Sequence, residues 1–302
     1  MAESRPPPPV NMRQRATWVD LVVLGGVLVL IAYVGYRVTS VLNYQWDWSV
    51  IPGYFFRWDE SSASWVANLL IIGLMTTLRI AFWGMIVSLI VGMFLAFART
   101  SKRLLPRLIG WAYVGFIRNI PPVPFLFLFY FFISTQLMPW LGIDAILNDA
   151  SPRTIAVAEV LFGKASLISN FAAGVIALSM MMAAYIAEIL RAGILSIDKG
   201  QYEAGYSIGL NRWQVARDVV LPQAIQRVIP PLTGQLITLI KDSSLVALIS
   251  IQELSFLAME IAISEQRFFE VWIVTGMMYF VICYTLSVVM YRLERRANAA
   301  SR

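Results

Sequence analysis

Six stretches of apolar residues follow one another along the chain, with polar segments between them. The stretches cover residues 18–42, 71–98, 123–141, 167–190, 229–251 and 268–291. Because an α-helix rises about 1.5 Å per residue, each stretch can cross a hydrocarbon layer of about 30 Å. The pattern therefore predicts an all-α integral membrane protein with six transmembrane helices.

The segments around these stretches divide the chain into parts. Residues 1–17 form a polar tail with a run of prolines, which we expect to be disordered. Residues 43–66 form a loop, 67–291 form a core with the other five spans, and 292–302 form a basic end. Small residues recur every four positions in the second span, which predicts a stripe for close helix packing: Gly84, Ser88, Gly92 and Ala96.

The charges are distributed unevenly among the segments that connect the spans. The chain has 24 Lys and Arg against 18 Asp and Glu, a formal net charge of +6. Most of the basic residues precede span 1, follow span 2, separate spans 4 and 5, or follow span 6. The positive-inside rule therefore predicts that both termini and the long loop 191–227 are cytoplasmic. The basic excess is explained by topology, and we expect no nucleic-acid binding.

The composition limits the chemistry that the chain can carry. Hydrophobic residues make up 59% of the sequence and charged residues 14%, against about 25% charged in soluble domains. There is no histidine and one cysteine, Cys283. These absences argue against histidine-based catalytic triads, most zinc sites and haem ligation, and they rule out an intrachain disulfide. We expect no catalytic residue, no metal and no cofactor.

The loop 191–227 has the strongest local signals in the chain. Gly200 is expected to end one helix, and residues 201–208 can form a short second helix that stops at Gly209 and Asn211. A third helix over residues 213–220 is expected to stop at Pro222. A short helix held between two turns suits docking into a groove on a partner, although a solvated connector would show the same pattern.

Three elements of this loop together resemble a known family motif. Glu203-Ala204-Gly205, then Gly209 and then Leu221-Pro222, resemble the EAA loop of ABC importer permeases, with Gly205 in place of the second alanine. Four flanking segments resemble the polar amino acid subfamily of these permeases: residues 76–79, 118–122, 187–194 and 241–245. The resemblance covers roughly residues 68–291.

The resemblance implies a type I ABC importer permease fold and a transport subunit that is not itself an enzyme. The implied ATPase-coupling residues are Glu203, Ala204, Gly205, Gly209, Leu221 and Pro222. The implied partners are a cytoplasmic ATPase subunit, a second permease subunit of like or unlike sequence, a periplasmic amino-acid-binding protein and membrane lipid. The implied location is the bacterial cytoplasmic (inner) membrane. The sequence has no G-x-x-x-x-G-K-[ST] phosphate loop, in agreement with an ATPase on another chain.

Polar groups within the spans are the candidates for the substrate pathway, because burying them in a membrane is costly. These candidates are Tyr185, Glu188, Thr238, Lys241, Asp242, Ser243 and Ser244. A zwitterionic amino acid could place its ammonium group on Asp242 and its carboxylate on Lys241 or on a helix N-terminus. The alternatives are a structural ion pair in span 5 and, at Glu188, a local pair with Arg191.

Three other functions remain open from the sequence. The chain could be an ABC permease for another small solute, such as an osmoprotectant or a sulfur compound. It could be an ion-coupled secondary carrier, although no internal repeat is visible. It could also be a membrane-embedded enzyme that uses Lys241 with Ser243 or Ser244 as a dyad.

Overall fold

The computed structural model describes residues 17–41, 44–61 and 63–300. The chain divides into two units, residues 1–47 and 48–302. In the first unit, α1 (Trp18–Val41) is a single apolar helix with almost all of its side chains exposed. The predicted disordered tail, apart from its last residue, lies outside the described residues.

The second unit begins with a 3₁₀ turn (Ile51–Tyr54) and an antiparallel hairpin of β1 (Phe56–Asp59) and β2 (Ser64–Ala67), which the sequence pattern did not predict. Helices follow to the end of the described chain: α2 (Leu69–Thr100), α3 (Leu104–Asn119), α4 (Pro122–Leu128), α5 (Thr135–Leu141), α6 (Ile143–Asn148), α7 (Pro152–Phe162), α8 (Ile168–Leu195), α9 (Lys199–Ser207), α10 (Arg212–Gln214), α11 (Leu221–Asp242), α12 (Leu254–Glu265) and α13 (Phe268–Ala300).

Six helical segments among the described residues are long and apolar enough to cross a membrane. They are Trp18–Ser40, Leu69–Thr100, Pro122–Leu141, Ala165–Leu195, Arg212–Ile249 and Phe268–Leu293. The predicted number of spans is confirmed, and the protein is a multi-pass membrane protein. Some ends differ from the sequence prediction by several residues, most of all in the fifth span, which begins at Arg212.

The core of the second unit is the contact between α2 and α8. Ser88 and Ser179 both donate hydrogen bonds to the Gly84 carbonyl, at 2.5 and 3.2 Å. A Cβ atom added at Gly92 would lie 2.7 Å from Cγ2 of Ile186. The small residues therefore let the two backbones approach closely, as the four-residue spacing predicts.

A buried carboxylate joins three helices at one end of this core. Glu253 is fully buried and caps α12, with Oε1 accepting the Phe256 N–H at 2.8 Å. Its Oε2 accepts hydrogen bonds from the hydroxyls of Tyr279 in α13, at 2.6 Å, and of Thr77 in α2, at 3.2 Å. Burial raises the pKa of the Glu253 carboxyl, because it penalises the charged form.

The prediction that a helix ends at Pro222 is wrong. A π-helical turn over Val215–Val220 leads from α10 into α11, and Pro222 lies in the first turn of α11. Proline has no N–H to donate, so a widened turn before it accommodates the missing bond without ending the helix. Pro230 and Pro231 also lie inside α11 and do not end it. The helical path therefore continues from Arg212 to Asp242.

Candidate coupling helix and transport cavity

Helix α9 is held between two turns, as the sequence predicts. The prediction that Gly200 ends the preceding helix is wrong, because α8 ends at Leu195 and Gly200 lies in the first turn of α9. Asp198 is its N-cap, and the carboxylate accepts the Gly200 N–H at 2.6 Å. The chain turns at Gly209, whose φ of +86° is strained for any residue with a side chain, and Leu210 N–H returns to the Gly205 carbonyl at 3.2 Å. Asn211 then caps α10 in a capping box with Gln214.

The inner face of α9 rests on the π-helical turn through Gly205. Gly205 and Val215 are both buried, and a Cβ atom added at Gly205 would lie 2.9 Å from Cγ2 of Val215. Val215 belongs to a small apolar cluster with Ile197, Val220 and Ala224. This contact gives a structural reason for Gly205, the one departure from the EAA pattern.

The outer face of the same region presents one acid beside apolar side chains. Glu203 and Ala204 are exposed, and so are Leu221 and Pro222. Three large apolar side chains nearby are also exposed: Tyr206 (47%), Ile208 (76%) and Trp213 (72%). A surface with this much uncovered apolar area is typical of a protein-docking site.

A cavity of about 230 Å³ lies between α8 and α11. We call it the transport cavity, after the role that we propose for it below. It is lined by Pro122, Leu178, Met181, Met182, Tyr185, Gln235, Thr238, Leu239 and Asp242. It brings together three of the sequence candidates, Tyr185, Thr238 and Asp242. The sequence analysis missed Gln235, although its spacing to Thr238 and Asp242, three and seven residues, is that of one helix face.

Lys241 and Ser244 line a different cavity, of about 290 Å³, together with Ser255, Trp272, Thr275, Gly276 and Tyr279. Consecutive helical residues point about 100° apart, and this separates Lys241 from Asp242. Ser243 is buried, and its hydroxyl donates to the Ile240 carbonyl at 2.7 Å. Within this chain, Asp242 and Lys241 therefore line different cavities and do not face a single site for one zwitterionic amino acid.

Glu188 does not line the transport cavity. Its two carboxylate oxygens accept hydrogen bonds from Arg99 and Arg191, and Arg118 Nη1 lies 3.9 Å from Oε2. The predicted pair between Glu188 and Arg191 is confirmed, and two further arginines join it from α2 and α3. The guanidinium group of Arg118 also lies 5.8 Å from the centre of the Tyr185 ring.

A six-span helical protein with a capped surface helix and a cavity that contains polar side chains has the features of a membrane transport subunit. Residues 88–299 match the family model of the binding-protein-dependent transport system inner membrane component. The chain belongs to this family.

Curated relatives extend the match over most of the chain. It is 35% identical over 224 residues to the probable amino-acid ABC transporter permease protein YckA of Bacillus subtilis, covering 74% of this chain and 87% of the relative. It is 34% identical over 253 residues to the glutamine transport system permease protein GlnP of Escherichia coli K12, covering 83% and 98%. It is 33% identical over 227 residues to the L-cystine permease TcyB of Bacillus subtilis, covering 75% and 85%.

Solved structures show the same architecture. A crystal structure of an amino acid ABC transporter with histidines matches with a TM-score of 0.60 and 31% identity, covering 76% of this chain and 94% of that one. An inward-facing form of the MetNI methionine ABC transporter, at 20% identity and a TM-score of 0.54, shares the fold. The predicted importer-permease fold is thereby confirmed.

Proposed function

We propose that this chain is the permease subunit of an ATP-driven, binding-protein-dependent importer of polar amino acids in a bacterial cytoplasmic membrane. The observation that carries the proposal is the placement of α9, which is capped at both ends, exposed on its outer face and packed on the π-helical turn through Gly205 and Val215. The names of the relatives, which include glutamine and cystine permeases, support the amino acid class.

The coupling route runs through one continuous helical path. A cytoplasmic ATPase subunit receives the outer face of α9, with Glu203 and the apolar side chains around it, in a groove. The π-helical turn under α9 leads directly into α11, which carries Gln235, Thr238 and Asp242 to the transport cavity. Movement of the ATPase subunit would therefore reach the cavity through α11. Because the sequence has no phosphate loop, ATP is bound by the other subunit.

The remaining parts of the complex follow from the proposed orientation. With both termini in the cytoplasm, α9 faces the ATPase and the opposite side faces a periplasmic amino-acid-binding protein. A second permease subunit, of like or unlike sequence, completes the pathway. In the transport cavity, Asp242 would attract the substrate ammonium group, while Tyr185, Thr238 and Gln235 offer hydrogen-bonding groups.

The proposal is tested by uptake of labelled glutamine in cells that produce the chain with its ATPase and binding protein. We expect Gly209→Val and Glu203→Lys to reduce both uptake and co-purification of the ATPase. Matched controls are Gly26→Val, where an added side chain meets nothing within 4 Å, and Glu60→Lys, an exposed acid in the segment between spans 1 and 2. Normal uptake in both Gly209→Val and Glu203→Lys would contradict the coupling role.

Two further arms separate the alternative functions. Uptake of an osmoprotectant or a sulfur compound, without uptake of any amino acid, would favour a permease for another small solute. Transport by the chain reconstituted without an ATPase would favour an ion-coupled secondary carrier, and the importer proposal would then be wrong.

A further inference from the structure

Three arginines surround one carboxylate where α2, α3 and α8 meet. Glu188 gives one oxygen to Arg99 and the other to Arg191, which leaves Arg118 at 3.9 Å with no close partner oxygen. Among the described residues, no other acid forms an ion pair with these three arginines. The group therefore carries a net charge of +2. Arg99 is buried, whereas the Arg118 side chain is 44% exposed, so its charge can meet an anion from outside the helix bundle.

Arg99 is the buried arginine of this group. Its side chain is only 2% exposed, and its Nε is buried without a hydrogen-bond partner. The ring of Trp111 covers the guanidinium group at 4.3 Å, and a Cβ atom added at Gly110 would lie 2.7 Å from Cγ of Arg99. The arginine is therefore held in place by packing while part of its hydrogen-bonding capacity is unused.

A cavity of about 310 Å³ opens beside these groups; we call it the arginine cavity. It is lined by Arg99, Trp111, Val114, Gly115, Arg118 and Asn119. Large apolar side chains on α3 flank it and are more than half exposed: Leu108, Trp111 and Phe116. The surroundings thus combine two arginines with a surface suited to hydrocarbon chains.

We propose that the arginine cavity binds a phosphate group. Guanidinium groups suit phosphate because they are planar, always charged and able to donate in pairs. Two sources share this chemistry, namely the phosphate of an anionic membrane lipid and inorganic phosphate from solution. The exposed apolar face of α3 favours the lipid, because its acyl chains can lie against that face while the phosphate enters the cavity.

The test uses the full chain, purified and depleted of lipid in detergent. Thermal unfolding is measured against increasing phosphatidylglycerol, phosphatidylcholine or inorganic phosphate. Arg118→Gln removes one charge from the cavity, and Gly115→Leu fills the cavity while keeping every charge. A Cβ atom at Gly115 meets nothing within 4 Å, so this second variant should fold. Arg107→Gln, an exposed arginine on the same helix that does not line the cavity, is the matched control.

We expect phosphatidylglycerol to stabilise the wild type and Arg107→Gln equally, with about tenfold weaker apparent affinity in Arg118→Gln and in Gly115→Leu. The same pattern with inorganic phosphate alone would support the site and assign it to a soluble anion. Equal responses in all the variants would overturn the proposal. So would stabilisation by glutamine, instead of phosphate, that depends on Arg118, because the cavity would then belong to the transport pathway.

Discussion

The contact between Gly205 and Val215 gives a quantitative test of how α9 is held. An alanine at position 205 would place its Cβ 2.9 Å from Cγ2 of Val215, whereas carbon atoms in good contact are about 3.5–4.0 Å apart. Val215 is buried and β-branched, so its methyl groups cannot rotate away freely. The helix must therefore move outward by about 0.6–1.1 Å, and overpacking of this kind costs about 1–3 kcal/mol.

Alanine is also a better helix former than glycine, by about 1 kcal/mol. The expected net effect of Gly205→Ala is thus a local loss of about 0–2 kcal/mol. Val215→Ala removes the obstructing methyl groups, and in that background Gly205→Ala should recover the propensity gain. The two changes are therefore expected to be non-additive by about 1–3 kcal/mol, which is a measurable coupling energy.

Hydrogen exchange of the amides of Lys199–Ser207, followed by mass spectrometry, is the suitable assay because it reports local opening. A coupling of 1.4 kcal/mol appears as a tenfold difference in protection. Uptake of glutamine in the same four proteins shows whether the position of α9 matters for transport. If Gly205→Ala changes protection equally in both backgrounds, the contact with Val215 is not the reason for a glycine at position 205.

Three further predictions concern the core and the cavities. Burial raises the pKa of the Glu253 carboxyl above its ordinary value of 4.5, so the contribution of this group to stability is full below that pH and is lost as the pH rises. Glu253→Gln should therefore gain in melting temperature over the wild type as the pH rises above 4.5, and a constant difference would contradict this. Gly92→Leu should prevent the packing of α2 on α8, seen as loss of a monodisperse peak in size-exclusion chromatography, whereas Gly26→Leu should not. Asp242→Asn should raise the KM for glutamine uptake more than Lys241→Met does, because only Asp242 lines the transport cavity; equal effects would contradict that assignment.

The parts of the fold that depend on local chemistry were predictable from the sequence. The six spans follow from hydropathy alone, and their number is confirmed among the described residues. Helix α9 was predicted within two residues at each end. Gly209 and Asn211 act on their own neighbours at its C-terminal end, whereas its start is set by Asp198 and not by Gly200. The pair of Glu188 and Arg191 was predictable for the same reason, since residues three apart share a helix face.

The parts that depend on distant neighbours were not predictable. Arg99 and Glu188 are 89 residues apart, and nothing local indicates that they meet. Lys241 and Asp242 point in different directions for a local reason, but the helices that close their two cavities, α13 for Lys241 and α8 for Asp242, are far away in the sequence. The helix through Pro222 continues because a π-helical turn precedes it, and single-residue rules for proline do not include that compensation.

The continuous helical path from Val215 to Gln235 also acts as a lever arm. Twenty residues of helix span about 30 Å, so a tilt of about 10° imposed at one end displaces the other by about 5 Å. The adjacent Pro230 and Pro231 in α11 lack N–H groups, so the helix bends most easily there, within two turns of Gln235. If the helix stays straight at these prolines, a small rotation beneath α9 would become a displacement at Gln235 as large as a side chain.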